Sequence, residues 1–207
     1  MCFQHPTGNQ LPNDIIGELI QNLPYSAIIR LCHTNRRFYH YCKNNPSLIN
    51  QQLLKEALNK YQDNLDNALV YAVIYNNISV VNKLLSMGAK PYYRTLINEW
   101  RMTTDNFPDG RRGLSVRYLP SAAINRAIKN RNIDIIISFL DLIDDIDIPL
   151  DNIHYLISYI IYEAFSHNLI NDYILKTYSE YISAEMINKS KLNHVIYKIS
   201  CVKSHVP

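Results

Sequence analysis

The sequence predicts an all-α fold made of short helices. Apolar residues recur at helical spacing along almost the whole chain, and long alternating strand patterns are nearly absent. The chain has 207 residues, of which 47% are hydrophobic and 19% are charged, so it can bury a real core as one domain or two small ones. The same composition excludes disordered, collagen-like and low-complexity proteins.

The N-terminal segment predicts four short helices. Pro12 suits the first turn of a helix, and Asp14 complements the helix dipole there. Pro24 ends this helix, and Asn45-Pro46 interrupts the chain before a fourth helix. The residues that begin the second, third and fourth helices are Ser26, Thr34 and Ser47. The apolar face of the first helix consists of Ile15, Ile16, Leu19, Ile20 and Leu23.

The same segment carries a recognisable motif. Its positions are Leu11-Pro12, Asp14-Ile15-Ile16, Leu23-Pro24, Ile28-Ile29-Arg30-Leu31-Cys32, Asn35-Arg36-Arg37-Phe38 and Pro46-x-Leu48. With them, residues 8–50 resemble an F-box domain, and residues 51–66 follow as a linker helix. The resemblance implies docking on a Skp1-type adaptor of a cullin-based ubiquitin ligase. The adaptor-binding residues that it implies are Leu11, Pro12, Ile15, Ile16, Leu19, Leu23, Ile28, Ile29 and Phe38.

An ordinary helical cap whose apolar face turns inward is the alternative interpretation of this segment. The tryptophan usual in F-box domains is Phe38 here, and the closing Leu-Trp is Leu48-Ile49. We favour the F-box because three short helices carry more aliphatic surface than they can bury among themselves. Each aliphatic side chain left in water costs roughly 1.5 to 3 kcal/mol, so a partner is expected to cover them.

The second half of the chain contains an internal repeat that resembles the ankyrin repeat. The first copy has Ala72, an Asn76-Asn77 turn and Gly88 at the positions of a helix-turn-helix unit. The second copy lies 55 residues later, with Ala127 in the place of Ala72. Ankyrin repeats are about 33 residues long, so this offset indicates an insertion of roughly 20 residues. We expect ankyrin-like repeats over residues 67–200, with the insertion at residues 92–120, as a loop or hairpin, and a degenerate repeat and a last helix at the C-terminal end.

The insertion is the candidate segment for target binding. It combines aromatic residues with arginines, the residue types that dominate binding hot spots. The residues that we assign to target binding are Tyr92, Tyr93, Arg94, Trp100, Arg101, Arg111 and Arg112. The alternative is a structural role, in which Leu96 and Trp100 pack onto the repeats and Pro108-Asp109-Gly110 is a turn between two short strands.

Charge and cysteine usage bear on partners and compartment. The net charge of +3 comes from 21 basic and 18 acidic residues spread along the chain, whereas a nucleic-acid-binding protein clusters its basic residues. The most apolar stretches, 133–140 and 155–165, are too short to span a bilayer and predict buried helices. Four cysteines favour free thiols in a reducing compartment over a disulfide framework; they are Cys2, Cys32, Cys42 and Cys201. We therefore expect a cytoplasmic monomer that binds neither nucleic acid nor a membrane.

We expect no catalytic activity, no cofactor and no metal. Cys32, His33, His40 and Cys42 lie near one another in sequence, but their spacing fits no common zinc site. The chain has no Gly-rich phosphate loop and no motif of a zinc protease or serine hydrolase. An acidic stretch from Asp141 to Asp151 is expected to be a solvated loop.

Together the two resemblances imply a substrate-recruiting adaptor of a host SCF-type (Skp1-cullin-F-box) ubiquitin ligase. Its target protein would bind the ankyrin repeats. An N-terminal F-box followed by a few ankyrin repeats resembles proteins of large amoeba-infecting DNA viruses and of Legionella-type intracellular bacteria, which implies action in a host cytoplasm. The alternative is an ankyrin-repeat scaffold that masks a protein partner without ubiquitin machinery.

Overall fold

The fold is mostly helical and divides into two compact units. The structure is a computed structural model that describes residues 11–100, 112–144 and 148–182. These residues form ten α-helices, one short 3-10 helix and two β-strands. The two units comprise Met1–Ala68 and Leu69–Pro207. The mostly helical prediction is confirmed, and the pair of strands is the departure from an all-α fold.

The described part of the first unit contains four complete helices, as predicted. Their bounds are α1 Asn13–Asn22, α2 Tyr25–Thr34, α3 Arg36–Asn44 and α4 Pro46–Lys60. Helix α1 contacts α3 and α4, α2 contacts α3 and α4, and α3 contacts α4. The helices therefore share one core, to which each contributes apolar side chains. The largest fully buried ones include Ile16, Ile20, Ile28 and Leu53.

The helix starts differ in detail from the prediction. Helix α2 begins directly after Pro24, before Ser26. The cap of α3 is Asn35 in place of Thr34, because the Asn35 side chain accepts hydrogen bonds from the N–H groups of Arg37 and Phe38. Helix α4 begins at Pro46, whose missing N–H costs nothing in the first turn.

The segment assigned as a linker helix is divided between two helices. Residues 51–60 continue α4, in which Leu53 and Ala57 are buried in the same core as Ile49. A turn then leads to helix α5, Leu65–Ile74, and the Asn64 side chain accepts a hydrogen bond from the N–H of Asn67 in its first turn. The C-terminal part of α4 therefore belongs to the first unit.

The second unit consists of helices with one inserted pair of strands. After α5 its elements are α6 Ile78–Ser86, β1 Tyr92–Trp100, β2 Arg112–Pro120, α7 Ala122–Lys129, α8 Ile133–Asp144, α9 Leu150–Ser166, α10 Asp172–Thr177 and the 3-10 helix Ser179–Tyr181. The apolar stretches 133–140 and 155–165 lie in α8 and α9, whose inner faces are buried. Among the described residues, every helix is too short or too polar to cross a bilayer.

Three helix pairs in this unit share one turn geometry: α5 with α6, α7 with α8, and α9 with α10. In each turn a residue with φ of 57° follows the first helix; these residues are Asn76, Arg131 and Asn168. The N–H of the next residue donates to the carbonyl of a buried alanine in the first helix; these alanines are Ala72, Ala127 and Ala164. This geometry satisfies carbonyls at the end of a helix and reverses the chain. The pairs carry the predicted internal repeat, and their assignment as ankyrin repeats stays a prediction.

Asparagine side chains join the first two helix pairs. The Asn130 Nδ2 donates to the carbonyl of Val73 at 2.7 Å, and the Asn132 Nδ2 donates to the Asn76 Oδ1 at 2.6 Å. Helix α8 also contacts α6, α7 and α9. The helices therefore pack both against the next helix and against the helix of the neighbouring pair. The last helix expected before residue 200 lies outside the described residues.

The insertion at 92–120 forms an antiparallel hairpin. Strands β1 and β2 pair from Tyr92 opposite Pro120 to Trp100 opposite Arg112. The Ser121 N–H donates to the Pro91 carbonyl at 2.9 Å and closes the base of the hairpin. Strand β2 contacts α7 and α9. The two-strand interpretation is confirmed, and its Pro108-Asp109-Gly110 turn lies outside the described residues.

The acidic stretch begins inside a helix, and that part of the solvated-loop prediction is wrong. Asp141 and Asp144 belong to α8, and Asp151 belongs to α9. The Asp141 Oδ1 accepts hydrogen bonds from the hydroxyls of Tyr173 at 2.9 Å and Tyr178 at 2.8 Å. The Asp141 carboxylate therefore links α8 to α10, which contains Tyr173 and is followed by Tyr178. Residues 145–147 lie outside the described residues.

Candidate functional site

An exposed apolar stripe runs along one face of α1. Leu11, Ile15 and Leu19 are 46%, 38% and 40% exposed. Ile15 and Leu19 are four residues apart on α1, a spacing that places side chains one above another on a helical face, and Leu11 lies two residues before the helix begins. Pro12, at the start of this stripe, is also exposed, and Leu23 at its other end is half-buried. A contiguous apolar surface of this kind typically marks an interaction site.

The opposite face of α1 lies in the core. Ile16 is 0% exposed, although it is next to Ile15 in sequence, because consecutive helical residues point about 100° apart. Ile28 is 0% exposed and Phe38 is 8% exposed. We therefore correct the predicted adaptor-binding set: Ile16, Ile28 and Phe38 are buried in the core and do not form the exposed surface. Ile29 is half-buried beside them.

A close contact fixes α1 against α3. Gly17 is buried between Ile15 and Leu19, and a Cβ built on it would lie 2.6 Å from the hydroxyl oxygen of Tyr41. A side chain at this position would require the Tyr41 hydroxyl to move. A glycine inside a helical pattern is the signal that indicates such an approach, and the sequence analysis did not use it.

Side chains of α4 bind the connection between α1 and α2. The Gln52 Nε2 donates to the Leu23 carbonyl at 3.0 Å, and the Tyr25 N–H donates to the Glu56 carboxylate. An open cleft of about 560 Å³ lies beside these contacts, lined by residues 21–24 and by side chains of α4. Two side chains of α4 therefore fix the short connection between α1 and α2, which lies at the C-terminal end of the stripe.

A disulfide joins α2 to α3. It connects Cys32, which is buried, with Cys42, which is half-buried, and their Cα atoms are 6.3 Å apart. The expectation of free thiols is wrong for this pair. Within residues 11–100, 112–144 and 148–182, no group of three or more His, Cys, Asp or Glu side chains is arranged to hold a metal ion.

The base of the hairpin has one buried and two exposed candidates for target binding. Tyr92 is 6% exposed and packs edge-on against Tyr118, with ring centroids 5.6 Å apart. Tyr93 is 52% exposed, and Arg94 is also exposed. We correct the assignment of Tyr92, because its ring is buried and packs against Tyr118.

The remaining target-binding candidates are only partly described. Trp100 and Arg112 are the last pair of the hairpin register, and nothing is described of their side chains. Arg101 and Arg111 lie outside the described residues. Among the described residues, the predicted target-binding side chains that are exposed are therefore Tyr93 and Arg94.

A family comparison decides how the first unit is interpreted. Residues 9–50 match the model of the F-box domain. These residues are an F-box domain. The match differs by one residue from the predicted start at residue 8, and it includes both the exposed stripe and the disulfide. No curated protein and no solved structure matches the chain.

The F-box domain indicates a general role for the chain. F-box domains generally bind Skp1 in SCF ubiquitin ligases, and F-box proteins are typically non-catalytic adaptors. The domain therefore suggests an adaptor of an SCF-type ubiquitin ligase. Both departures from the F-box pattern are buried, since Phe38 and Ile49 pack in the core.

Proposed function

We propose that this chain recruits a substrate to a host SCF-type ubiquitin ligase. Its F-box domain binds a Skp1-type adaptor that is attached to the cullin, and its second unit binds the target protein. The chain is a non-catalytic monomer without a cofactor. It works by proximity, because holding the target near a ubiquitin-charged enzyme raises the local concentration of the target's lysines.

The exposed stripe of α1 carries the adaptor half of the proposal. Leu11, Ile15 and Leu19 present aliphatic side chains to solvent within a segment that matches the F-box model. Because each residue is 38–46% exposed, covering the remaining area is favourable by about 0.5 to 1.5 kcal/mol per side chain, a part of the value for complete burial. Pro12 is exposed and Leu23 and Ile29 are half-buried, so these three predicted adaptor-binding residues also keep apolar surface for a partner.

The second unit supplies the target half of the proposal. The common turn of the three helix pairs supports an ankyrin-like stack, which typically binds proteins on one extended surface. Tyr93 and Arg94 project from the base of the hairpin as an exposed aromatic and an exposed cation. Both residue types are enriched in binding hot spots.

A binding measurement tests the adaptor half. We expect the purified chain to co-elute with a Skp1-type adaptor, and Ile15→Ala with Leu19→Ala to weaken binding by about thirtyfold, roughly 2 kcal/mol. Ile74→Ala is the matched control, because Ile74 is an equally exposed aliphatic residue of the second unit. The thermal unfolding midpoint of each variant confirms that it is folded. Equal binding by the double variant contradicts the assigned surface.

The alternative function is a scaffold that masks a protein partner without ubiquitin machinery. The replacement of the usual F-box tryptophan by Phe38 favours it, because a smaller ring supports a different surface shape. This alternative requires that the intact chain captures a target protein and does not bind the adaptor. Co-elution with the adaptor therefore separates the two functions.

We propose the host cytoplasm as the site of action. The proposal depends on the resemblance to F-box and ankyrin proteins of intracellular agents of amoebae and on the location of the ligase. Fractionation of infected amoebae, read with an antibody against the chain, is the test. Recovery of the chain with a membrane or secreted fraction contradicts it.

A further inference from the structure

We propose that Cys32 and Cys42 are a reversible thiol–disulfide site in the F-box domain, with glutathione disulfide as its oxidant, and that closing it strengthens the adaptor-binding stripe. The first part rests on the proposed cytoplasmic location, which is a reducing compartment. The second part rests on the proposed adaptor function. The inference is argued from the positions of the two cysteines, from the aliphatic core of the domain and from one packing contact between α3 and α1.

The first feature is the position of the two cysteines on packed helices. Their Cα atoms are 6.3 Å apart, within the range of about 4.4 to 6.8 Å that disulfides usually span. They lie on α2 and α3, which contact each other directly. The bond therefore closes between helices that the core already holds together.

The second feature is that the domain has a complete aliphatic core without the bond. Ile16, Ile20, Ile28 and Leu53 are fully buried around it. A small domain that depends on disulfides lacks such a core. Where a disulfide forms in a reducing compartment, it is usually transient or redox-sensing. These facts favour a bond that opens and closes over one that is required for folding.

The different exposure of the two cysteines decides which of them reacts first with glutathione disulfide. Cys42 is half-buried, so its thiolate attacks one sulfur of glutathione disulfide; the glutathione S–S bond breaks, and one glutathione thiolate leaves. The buried Cys32 thiolate then attacks the Cys42 sulfur and releases the second glutathione. Two cysteine thiols are oxidised, one glutathione disulfide is reduced to two thiols, and the two cysteine protons end on the glutathione molecules.

The packing contact links the bond to the stripe. Cys42 follows Tyr41, whose hydroxyl lies against Gly17 on the buried face of α1, the helix that carries the stripe on its exposed face. Holding Cys42 to α2 therefore restrains the part of α3 that packs against α1, and with it the helix that presents Ile15 and Leu19. A more rigid support lowers the cost of ordering that surface when the adaptor binds.

The test uses the full chain with Cys2→Ser and Cys201→Ser, so that only the pair remains. The protein is equilibrated at a series of ratios of reduced to oxidised glutathione, and free thiols are counted by alkylation and mass spectrometry. We expect both thiols to disappear together and the thermal midpoint of the F-box domain to rise by roughly 10 °C on oxidation. We expect adaptor affinity to rise by about threefold or more.

The control protein carries Cys32→Ser and Cys42→Ser in addition to the first two substitutions. These changes remove both sulfurs and alter the side-chain volume little. This control should show no response of midpoint or affinity to glutathione. Thiols that persist at every ratio, or oxidised and reduced forms that bind the adaptor equally, overturn the inference. Absence of adaptor binding in every redox state overturns the proposed function instead, and the thiol count and the midpoint still decide whether the disulfide site exists.

Discussion

Gly17 shows how one missing side chain positions a surface. It lies on the buried face of α1, where a Cβ would come 2.6 Å from the Tyr41 hydroxyl oxygen and 3.6 Å from the ring carbon that carries it. Glycine in a helix is less favourable than alanine by about 1 kcal/mol. Its presence inside α1 is therefore explained by the close approach of α3.

The first residue-scale prediction is that Gly17→Ala changes the free energy of unfolding in opposite directions with and without the Tyr41 hydroxyl. We expect Gly17→Ala to lower the free energy of unfolding by about 1 kcal/mol, because the Tyr41 hydroxyl must move. In a Tyr41→Phe background the remaining contact is an ordinary one, so the same substitution should raise the free energy of unfolding by about 0.5 to 1 kcal/mol. Urea denaturation of the four proteins measures both effects. Equal effects in the two backgrounds contradict the contact.

Tyr178 gives the second residue-scale prediction, which concerns alkaline pH. Burial, and then the hydrogen bond to Asp141, raise the pKa of Tyr178 above its ordinary value of 10. The folded state thus favours the neutral phenol, so this contribution to stability is complete below about pH 10 and is lost as the pH rises above it. We expect the free energy of unfolding to fall between about pH 10 and 11, and to fall less in Tyr178→Phe. Identical pH profiles in urea denaturation contradict this.

At the scale of elements, the repeated turns explain how the helix pairs of the second unit are joined. Asn132 has two roles: its side-chain oxygen accepts from the Ile135 N–H and caps α8, and its amide nitrogen donates to Asn76 of the preceding turn. Asn77 caps α6 in the same way, through the N–H of Val80. The turns therefore start one helix and contact the neighbouring pair at the same position.

The element-scale prediction separates these two roles. Asn132→Ser keeps a capping oxygen but is too short to reach Asn76, whereas Asn132→Ala loses both contacts. We expect losses of about 1 kcal/mol for serine and about 2 kcal/mol for alanine in the free energy of unfolding. Urea denaturation monitored by circular dichroism gives both values. A serine variant as unstable as the alanine variant shows that the contact with Asn76 dominates and contradicts the additive expectation.

At the scale of the whole molecule, the proposed functions fall on different units. The F-box domain lies in the unit Met1–Ala68, and the hairpin and the last two helix pairs lie in the unit Leu69–Pro207. Each unit has its own buried aliphatic core. Variants of the stripe on α1 and variants of the hairpin therefore test the two halves of the proposal separately.

Much of the architecture could be predicted from short-range signals. Pro12, Pro24 and Pro46 lie at helix boundaries because proline is not tolerated in a helix interior: Pro12 and Pro24 directly precede α1 and α2, and Pro46 is the first residue of α4. Pro24 was predicted as the end of the first helix, and it also precedes the second. The boundaries of the F-box domain agree to one residue. The position of the hairpin was also predictable, because an offset of 55 residues is too long for one repeat.

Contacts between residues far apart in sequence were not predictable in this way. The acidic run suggested a solvated loop, but Asp141 binds two tyrosines more than 30 residues away. Periodicity assigned Ile15 and Ile16 to one apolar face, yet one is exposed and the other is buried. Their different environments depend on where α3 and α4 pack, and a pattern within α1 contains no information about that.

The amino-acid sequence by itself determined the helical class, the F-box boundaries and the repeated turns, since prolines, caps and apolar spacing act within a few residues along the chain. Only the tertiary structure decided which apolar residues of α1 are left for a partner, and that Cys32 and Cys42 meet. Burial and cross-linking depend on distances between helices, and these are set when all the helices pack together.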